Sequence, residues 1–80
     1  MHYVYLLTSR REPQRHYVGF THDLKGRLTS HNAGQNQSTA AHRPWNLAAY
    51  FAFPSEQKAL AFEQYLKSGS GKTFAQRHFY

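Results

Sequence analysis

The chain has 80 residues, a length that allows one domain with a small core. It contains no cysteine, which excludes disulfides, thiolate metal sites and cysteine nucleophiles and fits a cytosolic (cytoplasmic) address. Ten Lys and Arg stand against four Asp and Glu, a formal net charge of +6, so an anionic partner is expected, nucleic acid first among them. Tyr3–Thr8 is rich in aromatic and branched residues and predicts a strand. Its apolar part is too short for a signal-peptide core, and no run in the chain approaches the roughly 20 residues of a membrane span, so no membrane partner is expected. Pro13 and the charges around it place residues 10–15 in a loop. His16–Phe20 predicts a second strand, forming an antiparallel hairpin with the first. Gly19 inside it marks a close approach by another group.

Thr21 is expected to cap a helix running from His22 to about Asn32, with Leu24 and Leu28 on one face and Gly34 as its stop. A polar loop over 34–39 follows, and Pro44-Trp45 marks its exit. Leu47–Phe53 predicts a third strand, ended by Pro54. Ser55 is expected to cap a second helix, from Glu56 to about Ser68, with Ala59, Phe62 and Leu66 on its apolar stripe. Ser68-Gly-Ser-Gly71 is expected to break it, leaving residues 72–79 for a short final helix. The order β-β-α-β-α, with that added helix, implies an α+β fold: a three-stranded antiparallel sheet with helices packed against it.

Several side chains combine into chemistry. Tyr5 and Tyr17 lie on adjacent strands, where a core aromatic pair is the simpler reading. Arg27 and His31 share a helix face, and an exposed ion pair with Asp23 would account for Arg27. Glu63 lies four residues before Lys67, which suits another such pair. The six histidines include no i,i+4 pair, so no zinc site is expected. Trp45 is expected to anchor the core or the loop.

Taken jointly, the residues are far more specific. Tyr3-Val4-Tyr5 is followed by Tyr17-Val18-Gly19, then Arg27, His31 and, on the second helix, Glu63 with Tyr65-Leu66-Lys67-Ser68-Gly69. This series resembles the GIY-YIG nuclease superfamily, in particular its small members related to the N-terminal domain of the excinuclease C subunit. The resemblance covers nearly the whole chain and implies a single nuclease domain over residues 1–80. It further implies a metal-dependent endonuclease acting on DNA, with RNA left open. Tyr5, Tyr17, Arg27, His31 and Glu63 would be the catalytic residues, and Glu63 the ligand of one divalent ion, Mg2+ or Mn2+.

These residue types suit phosphodiester hydrolysis. A single carboxylate with waters and phosphate can satisfy magnesium. An arginine fork clamps phosphate. A tyrosine, ordinarily titrating near 10, needs nearby positive charge to accept a proton from water. Among Tyr5, Tyr17 and His31 the base stays open, with Tyr5 the more natural positioning group. Phe20 stands where the excinuclease-type pattern has a lysine, a role that Lys25 or Lys67 would have to fill. Arg15, Lys25, Lys67 and Lys72 are the expected nucleic-acid contacts, with low sequence specificity because phosphate contacts carry no sequence information. A catalytically inactive nucleic-acid-binding module of the same fold is the second reading, and an adaptor domain whose tyrosines are simply core is the third.

Overall fold

Strand-forming residues occupy three stretches of the computed structural model, which describes all 80 residues. They form β1 (His2–Ser9), β2 (His16–Thr21) and β3 (Trp45–Phe53). Helices α1 (Leu24–Asn32), α2 (Glu56–Lys67) and α3 (Gly69–His78) complete the α+β fold, with a single 3-10 turn at Ala40–His42. The sheet order is β2-β1-β3, antiparallel throughout. The central strand β1 is therefore flanked at both edges, and with α2 and α3 over one face and α1 over the other, Val4, Tyr5, Leu6 and Leu7 are all buried.

Alternation along β1 divides the core in two. Val4 and Leu6 pack with Ala59, Leu66 and Ala75 under α2 and α3. Tyr5 and Leu7 point the other way and pack with Trp45, Leu24 and Leu28 under α1. Each large aliphatic side chain so buried stabilises the fold by about 1.5–3 kcal/mol. In β3 every second residue is at least half-buried, from Trp45 to Phe53. A register shift opposite Leu6 and Leu7 lets this uniform pattern serve both layers. Leu47 pairs with Leu7 on the α1 face, and beyond the shift Phe51 pairs with Val4 on the α2 face. An extra residue in one strand turns the following side chains to the opposite side.

The structure moves three boundaries. Thr21 does not cap α1. It remains in β2, and its Oγ1 accepts from Asp23 N at 3.0 Å. Asp23, in extended backbone, is the cap, and its carboxylate accepts from Gly26 N at 3.1 Å. The carboxylate is thereby engaged, and the Asp23–Arg27 ion pair does not form. Secondly, β3 starts at Trp45 rather than Leu47. The Asn32 side chain pairs with the Trp45 backbone, accepting from its N at 2.6 Å and donating to its O at 3.1 Å. Trp45 itself is buried and donates from Nε1 to Thr39 O.

Thirdly, residues 68–71 do not interrupt the helices for long. Ser68 alone separates them, its N–H donating to Tyr65 O as α2 ends and its Oγ accepting from Gly71 N as α3 begins. Gly71 is buried, and a Cβ there would overlap the Tyr65 carbonyl. Its glycine is required by close helix contact, whereas the sequence suggested only a helix break. Gly34, by contrast, ends α1 as expected, with φ +80° one residue beyond the C-cap Ala33.

Candidate active site

Tyr5 and His31 face each other because β1 presents Tyr5 toward α1 and the last turn of α1 presents His31 toward the sheet. The Tyr5 hydroxyl lies 2.8 Å from His31 Nε2, and His31 Nδ1 lies 2.7 Å from Thr39 Oγ1. Thr39 donates its own proton to Asn36 O at 3.4 Å. Its oxygen is then the acceptor from Nδ1–H, which leaves Nε2 to accept from Tyr5. The result is a directional chain, Tyr5 to His31 to Thr39 to the Asn36 carbonyl, with the imidazole neutral. His31 has no exposed surface, and burial, reinforced by the Arg27 charge, holds its pKa below 6.5. Burial likewise pushes the Tyr5 hydroxyl up to about 12, aided by Tyr17 and opposed by Arg27. Tyr5 reaches this position only because Gly19 lies opposite it in β2, where a Cβ would overlap the phenol.

Tyr17 sits beside this chain without joining it. Its ring meets His31 edge-on at 5.1 Å between centroids and Tyr5 at 6.3 Å. It is half-buried and borders a cleft of about 380 Å3, whose wall also includes His16, Lys67, Lys72, Gln76 and Tyr80. The imidazole of His16 and the ring of Tyr80 stack in parallel at 3.5 Å. Glu63 comes from α2. Its side chain is mostly covered, and one carboxylate oxygen accepts from Lys67 Nζ at 3.1 Å, as the spacing suggested. The charges of Arg27 and Glu63 act on the Tyr5 hydroxyl in opposite senses, Arg27 favouring its ionised form and Glu63 opposing it, and neither side chain lines the cleft that Tyr17 borders.

The remaining expected contacts are dispersed. Lys67 and Lys72 line the cleft. Arg15 lies in the β1–β2 loop, 3.9 Å from Glu12. Lys25 borders a separate hollow with Tyr3, Asp23 and Tyr50, so it does not share the cleft with Tyr17. Phe20 lies against the rings of His2 and His22. Sequence reasoning missed Thr39, which is fully buried and fixes the His31 tautomer. The one available signal was the chemistry of histidine itself, since a buried imidazole needs a partner at each nitrogen. Reasoning from helical spacing also missed the convergence of His2, His22 and Glu56.

The GIY-YIG catalytic domain model matches residues 1–77, and the chain belongs to that family. It is similar to the structure-specific endonuclease subunit SLX1 of Scheffersomyces stipitis, 43% identical over 67 residues, covering 75% of this chain and 20% of that protein. It is also similar to UPF0213 protein BH0048 of Halalkalibacterium halodurans, 34% identical over 67 residues, covering 82% of this chain and 69% of that protein. The solution structure of UPF0213 protein BH0048 from Bacillus halodurans superposes with a TM-score of 0.57 at 33% identity, covering 94% of this chain and 79% of that one. The chain thus spans about one fifth of the SLX1 protein and most of the small UPF0213 protein. No helix is long and apolar enough to cross a membrane.

Proposed function

We propose that residues 1–80 act as one endonuclease unit that hydrolyses phosphodiester bonds in DNA, with Tyr17 as the base and Glu63 as the ligand of a divalent ion. The observation that carries this reading is the unequal environment of the three candidate bases. Tyr5 is 1% exposed and holds its proton up to about pH 12, while both nitrogens of the buried His31 are engaged. Tyr17 is the one that borders open space beside cationic side chains. In this reading water attacks phosphorus, its proton passes to the Tyr17 phenolate, which becomes the phenol, the bond from phosphorus to the 3′ oxygen breaks, and the departing 3′ oxygen takes a proton from solvent to end as a hydroxyl beside a 5′ phosphate. Arg27, exposed on α1, contacts the non-bridging oxygens and stabilises their growing charge. Tyr5, His31 and Thr39 hold the Tyr17 ring in place through packing and the directional chain.

Glu63 fits a magnesium or manganese ion held by a single carboxylate. One of its oxygens has no protein donor, and the Lys67 partner of the other is half-exposed and free to swing onto phosphate. The chemistry the ion supplies when bound is Lewis-acid neutralisation of the phosphate and the leaving oxygen. Lys67 and Lys72 extend the positive wall of the cleft along a nucleic-acid backbone. The name of the Scheffersomyces stipitis relative, a structure-specific endonuclease subunit, supports endonucleolytic cleavage directed by the structure of the substrate rather than by base sequence.

The test is cleavage of supercoiled plasmid and of single-stranded DNA in Mg2+, Mn2+ or EDTA. Metal-dependent nicking that disappears in Glu63→Gln is expected. In Tyr17→Phe the residual rate should lose its pH dependence. Equal nicking in EDTA, or a wild-type pH–rate profile in Tyr17→Phe, overturns the assignment. DNA binding with a steep salt dependence and no cleavage under any condition would support the inactive module instead.

A further inference from the structure

The sheet register gathers three potential metal ligands at the end where β1 begins. Tyr3 pairs with Thr21, so His2 and His22 come next to each other just beyond that pair. His2 also pairs with Phe53 in β3, three residues before Glu56 opens α2. The two imidazole rings lie 4.7 Å apart, and Glu56 Oε1 is 3.8 Å from His2 Nδ1 and 3.5 Å from His22 Nε2. All three donor atoms fall within 4.8 Å of one another. In a tetrahedral zinc site, ligand atoms at about 2.0–2.1 Å from the ion are separated by about 3.4 Å, so small side-chain movements would close this set.

A second observation points the same way. His2 Nδ1 is buried and has no hydrogen-bond partner. Buried polar atoms are nearly always paired, and an atom left over calls for a ligand. Here it lies beside a carboxylate and a second imidazole. The Phe20 ring stacks on His2 at 6.2 Å and meets His22 edge-on at 5.2 Å, forming an apolar wall that keeps the imidazoles in place. His22 and Glu56 are exposed, which gives an ion a direct route from solvent.

We propose that His2 Nδ1, His22 Nε2 and a Glu56 carboxylate oxygen form a zinc site separate from Glu63. Two imidazoles and one carboxylate suit a borderline ion such as Zn2+, whereas Mg2+ favours an all-oxygen shell. Three protein ligands leave a fourth position for water. The site ties the start of β1 to the turn between β2 and α1 and to the first residue of α2. Asp23, the cap of α1, directly follows His22. The ion therefore joins the helix that carries Arg27 and His31 to the helix that carries Glu63.

The test is calorimetric titration of the untagged, chelator-stripped full chain with ZnCl2, with and without millimolar MgCl2, together with thermal unfolding. One Zn2+ per chain is expected, undisturbed by Mg2+, with a rise of several degrees in Tm. His22→Gln and Glu56→Gln, both at exposed positions, should each weaken zinc binding at least tenfold and remove most of that rise. His42→Gln and Glu63→Gln should bind zinc as the wild type does, which separates this site from the proposed catalytic ion. Absence of zinc binding by the wild-type chain overturns the proposal. So does unchanged affinity in both His22→Gln and Glu56→Gln, or loss of binding in Glu63→Gln.

Discussion

Replacing Tyr5 by phenylalanine removes one hydroxyl from the middle of the core and tests the directional chain. The ring stays, its packing against Leu7 and Trp45 stays, and His31 Nε2 loses its donor in a place with no access to water. A buried acceptor left unpaired costs about 1–3 kcal/mol. A domain of 80 residues at roughly 0.05–0.15 kcal/mol per residue has a total stability of about 4–12 kcal/mol, so the loss is a substantial share. A loss of about 2 kcal/mol corresponds to a fall in Tm of roughly 8–16 °C at this size. Urea unfolding of Tyr5→Phe should therefore give a lower midpoint with an unchanged slope. Tyr50→Phe, altered at a side chain 53% exposed, should stay within about 0.5 kcal/mol.

The alkaline limb supplies an independent readout. Because the folded state holds the Tyr5 proton up to about 12, it binds more protons than the unfolded chain above pH 10, and stability falls as pH rises through that window. Holding a phenol protonated from pH 10 to about 12 is worth about 3 kcal/mol at most. Tyr5→Phe should lack part of that fall, and Tyr80, pushed up to about 12 by its own burial, should keep the rest. A stability loss below about 0.5 kcal/mol with an unchanged alkaline limb would refute the role given to the Tyr5–His31 bond.

Three further outcomes are expected. Gly71→Ala should destabilise by about 1–3 kcal/mol through overlap with the Tyr65 carbonyl, while Gly69→Ala, where a Cβ meets nothing within 4 Å, should be neutral or stabilise by about 0.4–1 kcal/mol in urea melts. Below pH 6.5 the unfolded chain protonates its histidines before the folded chain protonates His31. Stability should therefore decline as pH drops from 6.5 toward the lower folded pKa, and less steeply in His31→Gln; His16, also held low by burial, supplies a second part of that slope. Finally, Lys72→Ala should weaken DNA binding without changing sequence preference, lowering the salt slope measured by anisotropy by about 0.9.

Local patterns were legible because each is written within one turn or one strand. Ser55 caps α2, its Oγ accepting from Lys58 N at 3.3 Å, and Gly34 follows α1 with its positive φ. The alternation of β3 was equally plain, but the register shift that divides its side chains between two layers was not, since a period of two looks the same on either side of it. The cap of α1 moved from Thr21 to Asp23 because pairing with Tyr3 holds Thr21 in the sheet, and tertiary pairing outranks a local preference. For the candidate site, motif order selected Tyr5, Tyr17, Arg27, His31 and Glu63, and the fold packs Tyr5, Tyr17 and His31 against one another, with the charges of Arg27 and Glu63 acting on the Tyr5 hydroxyl. Their unequal exposure could not be read from order alone. Thr39 carried no local signal either, because its importance lies in which imidazole nitrogen it faces.

The single residue between α2 and α3 has a consequence for how this chain can vary in length. With 3.6 residues per turn, one residue added at Ser68 would rotate α3 by about 100° and carry its inner face away from α2. Ala75 and Phe79 would leave the core, and Tyr80 would swing off the cleft. The β1–β2 loop, exposed from Arg10 to Arg15, carries no such constraint. Insertions and deletions should accumulate in that hairpin and be absent from the joint at Ser68, which works as a gear tooth with one setting.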